Sequence, residues 1–141
     1  MPAQLPDRET VYFRNAAGNV VFHSTGYVEL AWAAHRVELS ELQAFYEQAL
    51  QLMLSTGAAK VLSVHGQRQP LPPAAQRWLT TDWIPRAMRL AGVRHCAIVE
   101  GDDPVHRLST QGVVANSPAA LEYRRFQHRA DAEAWLARLA G

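Results

Sequence analysis

Six histidines, His23, His35, His65, His95, His106 and His128, are the residues with the widest scope for metal or acid–base chemistry. No two of them lie at i, i+3 or i+4, and no H-E-x-x-H spacing occurs, so no metal-binding pair is pre-set on a helix face. Most therefore read as surface or strand-end residues, and no metal site is expected. His65 stands apart. It closes the run Ala59–Gly66 beside Gly66, at the carboxyl end of an expected parallel strand, where open α/β sheets bind their ligands. Glu100, with Asp102 and Asp103, occupies the same end of the next strand. A His65–Glu100 pair across those ends would tune an imidazole near neutral pH for the acid–base work of a small hydrolase or isomerase. The plainer reading makes Glu100 a solvated strand end and Asp103 a helix cap. Ser109, Thr110 and Ser117 have no G-x-S-x-G elbow around them. No glycine-rich phosphate loop occurs, and no cofactor is implied.

A second constellation is aromatic. Trp78 and Trp83 sit five positions apart on a helical run, so they share one face only if Pro85 bends the turn between them. The plain expectation is core packing for one and partial burial for the other. The sharper one is a kink that opens an aromatic edge, lining a groove with Phe45, Tyr46 and Met53. Such a groove would take a small apolar ligand or a partner protein's helix.

The elements that must position these residues follow from the changing hydrophobic period. Thr10–Arg14, Val20–His23 and Tyr27–Ala33 are short, β-branched or aromatic runs separated by glycine-bearing turns, as in an antiparallel meander. From Ser40 the period becomes helical. Ser40-Glu41-Leu42-Gln43 fits an S-x-x-Q capping box, and Gly57 can supply the left-handed stop. After the strand ending at His65–Gly66, Pro73 opens a second helix. Pro85 should kink it near Trp83–Pro85 or split it in two. Gly92 stops it, and residues 94–100 form a strand apolar enough to be covered on both faces. Asp103–Pro104 is a cap-and-first-turn pair for a third helix, which ends before Asn116. Residues 121–126 form a more polar, edge-type strand, and Ala132, Trp135, Leu136 and Leu139 place an apolar stripe on a final helix. The order βββ-αβ-αβ-αβ-α predicts an α/β fold: one mixed sheet, antiparallel first and parallel after, with helices packed on it. Residues 1–8 read as a loose leader and residues 9–141 as one domain.

Composition narrows the function classes. At 141 residues the chain can bury one sizeable core. Fourteen basic and thirteen acidic residues leave a net charge of +1, with scattered arginines, which argues against nucleic acid as a partner. The lone cysteine, Cys96, lies within an apolar strand and reads as a small hydrophobe. No run reaches the ~18 apolar residues of a membrane span, and no signal region is evident, so a cytoplasmic location is the default.

Trp78-Leu79-Thr80-Thr81-Asp82-Trp83-Ile84-Pro85-Arg86, the stop Ala91-Gly92-Val93-Arg94, Ala97-Ile98-Val99 and the closing Phe126 to Trp135-Leu136 resemble the SpoIIAA-like group. These are small bacterial proteins of STAS type, related to the CRAL-TRIO fold. The resemblance spans roughly residues 20–140. It implies a STAS-like mixed sheet and a non-enzymatic regulatory or binding module, whose object is a partner protein or a small apolar ligand. In anti-sigma-factor antagonists of that fold, a serine after a central strand is phosphorylated. The matching residues His65 to Pro70 carry no serine or threonine, and Ser63 falls inside the expected strand. A purely structural homodimer is a third reading.

Overall fold

The computed structural model describes residues 7–139. Six strands form one sheet in the order β1-β2-β3-β4-β5-β6. They are β1 (Glu9–Asn15), β2 (Gly18–His23), β3 (Tyr27–Trp32), β4 (Lys60–Val64), β5 (His95–Val99) and β6 (Glu122–Phe126). The first three pair antiparallel, and β3 through β6 pair parallel. The fold is therefore the mixed α/β sheet the sequence predicts, and the polar strand β6 lies at an edge, as expected. The meander is the sheet's antiparallel half. Of the expected leader 1–8, residues 1–6 lie outside the described residues. Residues 7 and 8 are fastened to the β2–β3 turn: Arg8 N–H donates to Ser24 Oγ at 2.8 Å, and Ser24 N–H donates to the Arg8 carbonyl at 3.0 Å.

Parallel strands laid down in sequential order need right-handed crossovers that all pass over the same face. That face carries α1 (Leu39–Thr56), α2 (Pro73–Trp78), α3 (Ile84–Ala91) and α4 (Pro104–Asn116). The main core lies beneath them, with Phe45, Ala49, Leu50 and Met53 of α1 sealed against Val20, Val28 and Leu30. Helix α5 (Arg129–Arg138) turns back under the opposite face and buries Ala132, Trp135 and Leu136 against Leu62, Ala97 and Val99. Strand β5 is thus covered on both sides, which accounts for its continuous apolar run. No helix among the described residues is long and apolar enough to cross a membrane.

Local signals are met with one exception. Gly57 and Gly92 adopt left-handed φ of 78° and 75°, and their N–H groups bond the Met53 and Met88 carbonyls. Asp103 caps α4 by accepting from Val105 N–H at 2.9 Å, with Pro104 next. The capping box at Ser40 is not formed. The first helical bond of α1 runs from Leu42 N–H to the Glu38 carbonyl, so Ser40 already lies inside the helix. Pro85 splits its helix in an unusual way. Residues Leu79–Trp83 form a π-helical turn between α2 and α3, closed by Ile84 N–H to the Leu79 carbonyl. The wider turn precedes the missing N–H of Pro85 and gives its ring room that a continuous α-helix would deny.

Candidate functional site

The π turn decides where the tryptophans go. In an α-helix, residues five apart point in different directions. An i to i+5 turn brings them back toward one side. Both rings meet Tyr46, with centroids 5.9 Å away for Trp78 and 4.8 Å for Trp83. Trp83 is buried and donates its Nε1–H to the Tyr46 carbonyl at 2.8 Å, whereas Trp78 is half-buried. Phe45 and Trp32 complete the cluster, Trp32 lying 4.5 Å from Phe45 and 5.3 Å from Tyr46. Phe45, Tyr46, Trp78 and Trp83 are thus brought together, but as a packed core rather than an open groove. Met53 is sealed in the core.

A cavity of about 70 Å³ lies beside this cluster, between the sheet and the helices α3 and α4. Trp83 and Tyr46 line it; Phe45 and Met53 do not. Its body is apolar, from Leu30, Val61 and Ile98 on the sheet to Ala87 and Val113 on the helices. Cys96 faces it too, and burial pushes that thiol up to about 12, so the sulfur stays a neutral part of the wall. At the carboxyl end of β4 the wall turns polar, with Ser63, His65, Arg68 and Thr110.

His65 is buried there, 3 % exposed, and does not pair with Glu100. Strand alternation sends Val61, Ser63 and His65 to the α1–α4 face, and His65 reaches across to α4. Its Nδ1 lies 2.9 Å from His106 Nε2, and its Nε2 lies 3.0 Å from Ser63 Oγ. Glu100 turns the other way, toward β6, where Oε1 lies 3.3 Å from Arg125 Nε; its Oε2 is buried with no partner among the described residues. The His65–Glu100 pair is replaced by a Ser63–His65–His106 chain. Trp32 Nε1–H donates to Ser63 Oγ at 2.9 Å, so the hydroxyl is free to donate onward to His65, and His65 to His106. Burial, then Arg68 and His106, holds His65 well below its ordinary value. Burial and Arg68 bring His106 down to about 4, so both rings are neutral at pH 7.

Gly66 follows at φ 53°, a left-handed turn that suits glycine. A Cβ on Gly101 would lie 2.4 Å from the Gly66 carbonyl oxygen, so it is the bare Gly101 that lets the β4 and β5 ends touch. The chain then turns back on itself, Arg68 N–H bonding the His65 carbonyl at 2.8 Å. Arg68 is carried into the structure, 6 % exposed, and its guanidinium carbon stacks 3.3 Å over the Trp32 ring. The roles of Arg68 and Trp32 and the His65–His106 contact leave no mark in the sequence. The two histidines are 41 positions apart, and an arginine in a polar, proline-bearing loop carries no local sign of burial.

The opposite face holds a separate network. His23, with no exposed surface, places Nδ1 2.5 Å from Asp7 and Nε2 2.7 Å from Glu29. Arg129 donates to both Glu29 oxygens, at 2.9 and 2.5 Å. Three histidines, His23, His65 and His106, are therefore buried and bonded rather than surface residues. Asp7, Glu9 and His23 are the one trio among the described residues whose ligand atoms lie within 4.8 Å of one another. Both nitrogens of His23 already face carboxylates, so the arrangement is an ion-pair network.

No family model matches the chain, and neither a curated protein nor a solved structure matches it.

Proposed function

We propose that the chain is a non-enzymatic, STAS-like binding module whose ligand is a small molecule with an apolar part. One observation carries the reading: the apolar cavity beneath α3 and α4, with its few polar groups gathered at the carboxyl end of β4. At about 70 Å³ it is half the ~150 Å³ that accommodates benzene, so it suits a short or branched alkyl end rather than a whole lipid chain. The SpoIIAA-like resemblance supports the same class of module.

Native mass spectrometry of the protein, purified undenatured from the cells that make it, tests this. The expected spectrum carries an adduct of small-molecule mass that is lost on denaturation and refolding. A ligand-free dimer would move the reading to self-association. A ligand-free monomer would remove its basis.

A hydrolase is the second reading, favoured by the Ser63–His65–His106 chain, which has the order of nucleophile, base and orienting group. Against it, Ser63 lies mid-strand in β4, paired on both sides, so the adjoining N–H groups serve the sheet rather than an oxyanion. The depressed basicity of His65 also makes it a weak base. Ser63→Ala separates the two readings. A hydrolase loses turnover of p-nitrophenyl acetate, whereas the binding module keeps its adduct.

A further inference from the structure

We propose that Arg68, on the wall shared by the apolar cavity and the groove between the β3–α1 connection and the 66–72 loop, anchors the carboxylate of a small organic acid whose alkyl end enters the cavity. This rests on the binding-module reading and names the ligand's polar end.

The first observation is a cation without an anion. Arg68 is 94 % buried, yet no carboxylate pairs with it among the described residues. Among the described residues its one side-chain hydrogen bond is from Nη2 to the Tyr46 hydroxyl, at a long 3.4 Å. Tyr46 offers no charge in return, because burial pushes its phenol up and keeps it neutral. The other titratable groups that feel its charge, His65 and His106, are neutral or positive and never negative. Burying a charge in this way is costly unless something completes it. Packing alone would be served by a methionine in the same place.

The second observation is where the unused donors look. Nε and Nη1 of Arg68 bond nothing among the described residues, yet neither is a sealed buried atom without a partner. They therefore keep a trace of accessible surface, and the pockets beside Arg68 are where it lies. Arg68 belongs to the walls of both the inner cavity and an outer groove of about 530 Å³, within the usual range for small-molecule sites. Trp32, Leu71 and Pro72 give that groove apolar walls. His35 and Arg36 stand exposed on its lining, and no acidic side chain among the described residues lines it.

The third argument concerns which anion. One guanidinium, held flat on an indole, still offers a planar edge, the second N–H of Nη2 beside Nη1 or Nε, that matches a carboxylate's two oxygens. A phosphate dianion calls for several converging donors, and only one buried cation is present. The apolar cavity on the other side of Arg68 suits the alkyl remainder of a short-chain acid.

The test is a calorimetric titration, with isovalerate, isoamyl alcohol and inorganic phosphate as probes, of wild-type protein, Arg68→Met and Arg68→Lys. Isovalerate is expected to bind wild type, to bind Arg68→Met at least tenfold more weakly, and to bind Arg68→Lys at an intermediate level. Isoamyl alcohol and phosphate should bind at least tenfold more weakly than isovalerate. Should Arg68→Met fail to fold, Arg68→Lys decides, because it keeps the charge and loses the planar fork. Equal binding of isovalerate and its alcohol, or no loss in either variant, overturns the carboxylate anchor while leaving an apolar binding module standing. Phosphate binding as tightly as isovalerate overturns the choice of carboxylate. No isovalerate binding at all overturns the anchor too, while the native mass spectrum judges the module independently.

Discussion

Trp83→Ala is expected to destabilise the protein by about 3–5 kcal/mol, the usual cost of truncating a buried tryptophan to alanine. Trp83 is 5 % exposed, packs on Tyr46, and donates to the Tyr46 carbonyl at 2.8 Å. It also forms part of the cavity wall, so its removal adds volume to a void already present. The neighbours that could collapse into the space, Leu79 and Ile84, are held by the π turn and by Pro85, which limits relaxation. Trp83→Phe keeps most of the packing and loses the indole hydrogen bond, and should cost about 1–2 kcal/mol. Urea unfolding at pH 7 measures both. A loss below about 1 kcal/mol for the alanine variant would mean that the helix repacks freely and that Trp83 does not hold it. Any ligand adduct should be lost with Trp83→Ala before it is lost with Trp83→Phe, since only the first reshapes the cavity.

The architecture was legible because it rests on local signals that agree with one another. The glycine stops at Gly57 and Gly92, the Asp103–Pro104 start and the two-sided apolar run of β5 each fix an element, and sequential right-handed crossovers then leave little choice of topology. The capping box misled because S-x-x-Q matched two residues too late; the N-cap is Glu38, and no side-chain cap closes the helix start at Leu39. For Pro85 the sequence established that the helix must give way. It did not establish that a π turn would absorb the strain and gather both tryptophans on Tyr46.

The candidate site was legible only in its location. Reading strand ends placed His65 and Gly66 where the polar groups do gather, since that rule follows from topology. The partners could not be read in the same way. Both His65 and Glu100 leave the ends of adjacent strands, but side-chain direction is settled by what lies across the face. For His65 that is His106 on α4; for Glu100 it is Arg125 on β6. Arg68 is the extreme case. Its burial depends on Gly66 and Gly101 touching, on Trp32 offering its face, and on a loop folding back, and none of these leaves a periodic trace in sequence.

Glu29→Ala should cost about 3 kcal/mol at neutral pH, the low end for breaking a buried charge pair, because Arg129 can recover water while His23 cannot. Glu29 is 5 % exposed and accepts from His23 once and from Arg129 twice. Helix α5 is only ten residues long and cannot shield the whole face of the sheet, so this network fills the face beyond its end. The pH dependence identifies the network's share. Burial alone would raise the Glu29 carboxyl, but hydrogen bonds from Arg129 and His23 outweigh it and hold the group below its ordinary value of 4.5. Burial is likewise outweighed at Asp7 by His23 and Thr25, below an ordinary 3.8. A carboxyl with a lower value folded than unfolded stabilises the native state above the unfolded value, and that stability is lost as the pH falls through the folded one. His65 and His106 act in the same direction at higher pH. Their folded values lie below 6.5, so the unfolded chain takes up protons first as the pH drops from about 6.5 toward 4. Urea midpoints followed from pH 8 to pH 3 should therefore fall in two stages for the wild type. Glu29→Ala should begin lower and keep the upper stage, because His65 and His106 lie on the other face of the sheet. Its deficit against wild type should then shrink below about pH 4.5, as the unfolded wild-type chain protonates the carboxylate that the variant lacks. A deficit that stays constant across the whole range would show that Glu29 matters for its packing and not for its charge.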